Sequence, residues 1–187
     1  MCASVLVESG CSKRESVQAP LSSPAATAEP SETPADAIDV CAFLTPEEIQ
    51  ATQGASLKST KKSARSDAGL TISQCYFALP NIADSIVVTV TQRSTGSNGR
   101  EPKQAWNDML SRKKGDAADR KDEQEMAKPE EISGLGDAAF WVTRRFGGKL
   151  YVLKGDRYIT VGVGSAGDEA LKIKRSKAIA EILLKKL

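Results

Sequence analysis

The sequence predicts an α+β domain, an antiparallel β-sheet with helices packed on it, and three observations carry that prediction. Helix-start signals or apolar stripes at helical spacing fall in three separate stretches, 45–54, 102–110 and 168–187. Between them lie two groups of short segments rich in β-branched and aromatic residues and bounded by turn residues. The resulting order of helix, strands, helix, strands, helix describes strands that form hairpins, with helices laid against the sheet.

The first helix is announced by "DVCAFLTPEEIQATQG": Thr45 can cap it, Pro46 suits the first helical position, Glu48 completes a Thr-x-x-Glu capping box and Gly54 stops it. It is expected to bury Phe43, Leu44 and Ile49 against the sheet. Residues 55–66 are basic and weakly patterned. "LTISQCYFAL" (70–79) and "DSIVVTVTQR" (84–93) then read as a hairpin. In the first of these, Leu70 and Ile72 alternate on one face and Cys75, Phe77 and Leu79 on the other, which calls for a bulge or a strand buried on both faces. Ala105, Trp106, Met109 and Leu110 make the stripe of a second helix, which passes into a mixed-charge stretch, "SRKKGDAADRKDEQE", read as a solvated helix end and loop. Three strands follow near 138–145, 149–154 and 157–164, with Gly147-Gly148 and Gly155-Asp156 at the turns. The closing helix carries Ile179, Ile182, Leu183 and Leu187 on one face, with acids at its start and lysines at its end to suit the helix dipole.

The 187 residues accommodate one domain with a tail. The divisions expected are 1–11, the remnant of a lipoprotein signal; 12–39, a disordered tether; and 40–187, a single globular domain. No apolar run reaches the roughly 18 residues that span a bilayer, so membrane attachment requires another route. The chain has no histidine, which removes the commonest general base and the commonest zinc ligand together. Residues 15–39 carry acids only, whereas the chain from Cys41 onward holds 24 basic against 18 acidic side chains. The folded part is therefore mildly basic.

The start, "MCASVLVESGCSKRES", resembles the end of a bacterial lipoprotein signal, an apolar run and small residues ahead of a cysteine that receives lipid, here Cys11. Glu8 stands where leucine is usual, no basic residue precedes Cys11, and the apolar run is short. An internal Met1, with the true start upstream, reconciles all three. From Ser12 the chain is rich in Ser, Pro, Ala, Thr and Glu and too poor in large apolar side chains to offset its ordering entropy.

Cys41 and Cys75 bracket the first helix and a strand. In an oxidising compartment a bridge between them closes a loop of about 35 residues, worth about 3 to 4 kcal/mol in the chain-entropy model. In a reducing cytosol they would be two buried, inert thiols. Their spacing is not that of a metal site, and neither metal nor cofactor is expected.

Other constellations reduce to structure. "GLGDAAFW" lacks the third glycine and the following helix of a dinucleotide site and reads as a turn entering a core strand. "GVGSAGDEA" places small residues at a helix start, where backbone amides could hold an anion. Asp137, Asp156 and Asp168 suit turn and cap duty. Lys61, Lys62, Arg65, Lys113, Lys114, Arg144, Arg145, Lys172, Lys174 and Arg175 supply a basic surface for anionic headgroups or cell-wall polymers, and no nucleic-acid signature accompanies them. Trp106 and Trp141 sit at core spacing; Trp141 with Arg144 and Arg145 is the candidate ligand-binding set.

Taken together, "CAFLTPEEI", "QCYF", "GLGDAAFW", "LYVLKGDRYITVGVG" and "AIAEILLKKL" resemble a family of small, uncharacterised bacterial lipoproteins common in actinobacteria, over about Cys41 to Leu187. The resemblance implies a PsbP-like α/β/α sandwich, an extracytoplasmic location with a lipid anchor at Cys11 and a bridge between Cys41 and Cys75, and it implies no catalytic residue. The expected function is a non-enzymatic binding or accessory domain of the cell envelope, membrane-anchored, monomeric or weakly homo-oligomeric, with a protein or envelope component as partner. The alternative is a hydrolase or transferase acting on cell-wall or lipid material without histidine.

Overall fold

A computed structural model of the chain describes residues 33–96, 98–115, 129–144, 147–164 and 168–187. Seven strands form one open antiparallel sheet in the order β1-β2-β3-β7-β6-β5-β4, with β1 at Ser59–Asp67, β2 at Leu70–Ala78, β3 at Ile86–Arg93, β4 at Glu130–Glu131, β5 at Ala138–Arg144, β6 at Gly147–Lys154 and β7 at Arg157–Val163. Three helices lie on it: α1 at Pro46–Gln53, α2 at Pro102–Gly115 and α3 at Glu169–Lys186. The α+β class and the alternating order of helices and strand groups are as the sequence predicts.

The strand period of two sorts the side chains into two cores. On one face Cys75, Phe77, Val88, Val90, Trp141, Leu150, Val152, Ile159 and Val161 meet α1, α3 and a 3-10 turn at Val40–Phe43. On the other face Trp106, Met109 and Leu110 of α2 cover Phe140, Val142, Tyr151, Leu153 and Tyr158. Trp106 packs against Phe140 at 4.8 Å between ring centroids, and Phe140 stacks on Tyr151 at 5.1 Å. The layers are thus helix, sheet, helix, because the strands at the β5–β7 end are apolar on both faces.

The helix ends follow the local signals. Thr45 and Glu48 form the reciprocal capping box, the Thr45 hydroxyl accepting from the Glu48 N–H and the Glu48 carboxylate from the Thr45 N–H. Gly54 closes α1 in the left-handed conformation. Asp168 caps α3 by accepting from the Ala170 N–H. Lys186, at the far end of α3, donates to the Phe43 carbonyl at 2.8 Å and to Glu48 at 2.9 Å, so the last turn of α3 is fastened to the start of α1.

Several sequence expectations change. The basic segment 55–66, which carries no strand pattern, contains most of β1, a full nine-residue strand. β4, only two residues, also lies outside the expected strands. β2 has no bulge, because its register with β3 runs unbroken from Leu70↔Arg93 to Phe77↔Ile86. The apparent change of phase arises because the inward positions of its first half are polar: Thr71 and Ser73 are buried on the same face as Cys75 and Phe77. They point inward because the chain ahead of Val40 needs hydrogen-bond partners there. The Thr71 hydroxyl donates to Asp36 at 2.7 Å, and the Ser73 hydroxyl accepts from the Ile38 N–H at 3.0 Å. Residues 36–39, assigned by sequence to the tether, are therefore fastened to the sheet. Residues 12–32 of that segment, together with Cys11 and the signal remnant, lie outside the described residues. Of the trio expected under α1, Leu44 and Ile49 are buried and Phe43 is half-buried, with Val40 taking its share of the core.

Candidate binding surface

The outer edge of the sheet is built by a hairpin that the sequence marks only at its turn. Asp67 and Leu70 flank the two-residue loop Ala68-Gly69, whose φ values of 49° and 84° put both residues in the left-handed region that a tight hairpin of the twist-matched kind requires. β1 then pairs with β2 along its whole length. Its composition, "STKKSARSD", gives it nothing to bury: eight of the nine residues are exposed and Ala64 is half-buried. Lys61 and Arg65 share one face, Lys62 takes the other, and Lys58 lies just before the strand. Lys62 reaches Asp39 at 3.6 Å, and both are well exposed, so the pair adds little stability. Among the described residues, Lys61 and Arg65 make no ion pair.

Beside Lys61 and Arg65 on the same face stand Tyr76 and Ile72 of β2, their cross-strand partners, and then Val87 and Thr89 of β3. These four are half-buried, in contrast to the buried positions beneath α2 at the other end of that face. A cationic margin thus borders a mixed apolar and polar strip of sheet, a surface able to take an anionic, extended or flat partner.

The candidate ligand set, Trp141 with Arg144 and Arg145, lies on and just after β5 and falls only in part among the described residues. Trp141 is 1% exposed, on the face covered by α3, and its indole N–H donates to Glu169 at 2.7 Å. It is a core residue, with both ring and N–H occupied within the chain, so it offers no surface to a ligand. Arg144 ends β5, and Arg145 lies outside the described residues. Residues 165–167, the Ser-Ala-Gly run ahead of α3, also lie outside them, and Glu169 in the first helical turn is engaged by Trp141 and by the Thr143 hydroxyl. Asp137 accepts from the Gly155 N–H at 2.6 Å and so holds the β6–β7 turn, in which Asp156 also sits; Asp168 caps α3. Asp137 and Asp156 thus meet at one turn, and Asp168 serves a helix cap.

Four carboxylates are held below their ordinary range by hydrogen bonds to their charged form. The Thr71 hydroxyl and then the Thr95 N–H act on Asp36; the Thr45 N–H and then Lys186 act on Glu48; the Gly155 N–H, with Lys154 beyond it, acts on Asp137; and Thr143 and Trp141 act on Glu169. The unfolded chain, with carboxyl groups titrating near pH 4, binds more protons than the folded chain just below that pH, so acid favours unfolding. The urea midpoint is therefore expected to be flat from about pH 7.5 to 5.5, where no histidine titrates, and to fall below about pH 4 as these groups protonate. Asp36→Asn should lower the plateau and blunt the acid slope. A midpoint falling already between pH 7 and 5.5 would contradict this assignment.

The sequence names Lys61, Lys62 and Arg65 as basic but does not place them on an edge strand. The signal that could have done so is the turn: a two-residue loop leading into a strand demands a strand before it, whatever that strand's composition. In comparisons with known proteins, no family model matches the chain, and no curated protein matches it.

Proposed function

We propose that this chain is an extracytoplasmic, non-enzymatic binding domain of the bacterial cell envelope, a small lipoprotein with a PsbP-like α/β/α sandwich, anchored by lipid at Cys11. The observation that carries the reading is the Cys41–Cys75 pair. The two sulfurs are bonded, at 2.02 Å, with Cα atoms 5.2 Å apart, and the bond joins the 3-10 turn at the start of the domain to the centre of β2. Cys75 is fully buried, so this bond is part of the core. Such a bond is a feature of oxidising compartments. The lipoprotein-like sequence before Cys11 and the Ser-, Pro- and Ala-rich stretch after it supply an anchor and a spacer in this reading. The basic margin at β1 supplies a surface that faces anionic envelope material.

The test is cell fractionation with the gene expressed from its own locus. The wild-type protein is expected in the membrane fraction, and the Cys11→Ala variant in the soluble extracytoplasmic fraction. Recovery of both from the cytosol would refute the reading.

A further inference from the structure

We propose that the β1 edge is a strand-addition site for an extended acidic peptide, one that carries carboxylates four residues apart. This rests on the binding-domain reading above and names its partner chemistry. Sheet edges invite pairing, and proteins blunt them by shortening the strand, by bulges, by proline or by charge. The far edge, β4, is two residues long. β1 has nine residues, no proline and an unbroken register with β2, so its outer row of N–H and C=O groups is long and straight enough to template another strand. Among the described residues charge is its only protection, and from Lys58 to Ser66 that charge is of one sign. Cations repel a second β1 but not an acidic strand.

The strand is also difficult to explain by stability alone. It brings no fully buried side chain to the core, and pairing with β2 would be served equally well by neutral threonines and serines. Lys61 and Arg65 project from one face about 13 Å apart, the length of four strand residues. A peptide strand added in register would face them with residues i and i+4, where two carboxylates would be matched. Lys62, on the opposite face, already shows the chemistry at work, since Asp39 of the adjoining segment approaches it at 3.6 Å. Backbone hydrogen bonds would supply the attachment and the two cations the selectivity.

The probe is a nine-residue capped peptide of alternating valine and threonine with Glu at positions 3 and 7, titrated into the full oxidised chain and followed by amide hydrogen exchange. Matched peptides carry Gln or Lys at those positions. The Glu peptide is expected to protect amides within 59–67 and to bind at least tenfold more tightly than the Gln peptide, with the Lys peptide weakest. Lys61→Glu/Arg65→Glu, two exposed changes, should invert the order. Equal binding of Glu and Gln peptides, protection confined to other strands, or binding without any β1 protection would each overturn the proposal. Because the titration uses purified protein, it can fail while the fractionation result stands, and the reverse.

Discussion

Gly148→Ala is expected to cost about 3 kcal/mol or more. A Cβ built on Gly148 would lie 2.0 Å from one carbon of the Trp141 ring and within 2.7 Å of two others. The ring has no room to retreat: it is fully buried beneath α3, with its N–H fixed on Glu169. Gly148 and Trp141 sit diagonally on the neighbouring strands β6 and β5, so the indole lies across the space that a side chain would fill. Adding the methyl must displace either the ring from the core or β6 from the sheet. Gly162→Ala, one strand away on β7, is the control. Its new Cβ would meet the Lys149 side chain at 3.7 Å and the Val87 carbonyl at 3.9 Å, ordinary contacts, and alanine loses less backbone entropy than glycine. That variant should be neutral or slightly stabilised, by up to about 1 kcal/mol. Urea unfolding of the two proteins checks the pair of expectations, and equal midpoints would show that the glycine at 148 does not serve the tryptophan.

Removal of the disulfide is expected to cost a further 3 to 4 kcal/mol or so, from the loop closed across a separation of 34 residues. For a domain of this size that corresponds to a fall in melting temperature of about 10 °C. Cys41→Ala/Cys75→Ala should show it, and so should reduction of the wild type. The effect is also local. The bond, the Ile38 N–H to Ser73 hydrogen bond and the Asp36 contacts with Thr71 and Thr95 all fasten the same segment, 36–41, to β2 and its surroundings. Hydrogen exchange in the variant should therefore rise first at Ile38 and Thr95, ahead of β5–β7. A melting temperature unchanged by reduction would show that the segment is held without the bond.

The parts of this fold legible in the sequence are those whose physics is local or periodic. The α1 capping box needs only Thr45, Pro46 and Glu48, and the stripes of α2 and α3 need only regular spacing. The strands β3, β5, β6 and β7 declare themselves because at least one face of each is apolar. Where a strand's partners dictate its side chains, the pattern disappears. β1 is exposed on both faces and reads as a basic loop, although its cations are the principal surface feature of the sheet edge. Thr71 and Ser73 break the alternation of β2 because they bond a segment more than thirty residues earlier in the chain, a demand no local window contains. Trp141 illustrates the opposite case. Its core spacing is legible and its burial bears that out, but the two arginines beside it also suggest a ligand contact, and only the arrival of α3, with Glu169 on the indole N–H, shows what occupies it.

The most direct measurement is the intact mass of the protein taken from its native host after thiols are alkylated in the living cell, recorded with and without later reduction. The envelope assignment requires Cys41 and Cys75 to escape alkylation until reductant is added, and the amino-terminal residue to be Cys11 bearing a diacylglycerol-sized adduct. Full alkylation of Cys41 and Cys75 in the cell, on a chain without lipid, would place the domain in a reducing compartment and contradict that assignment.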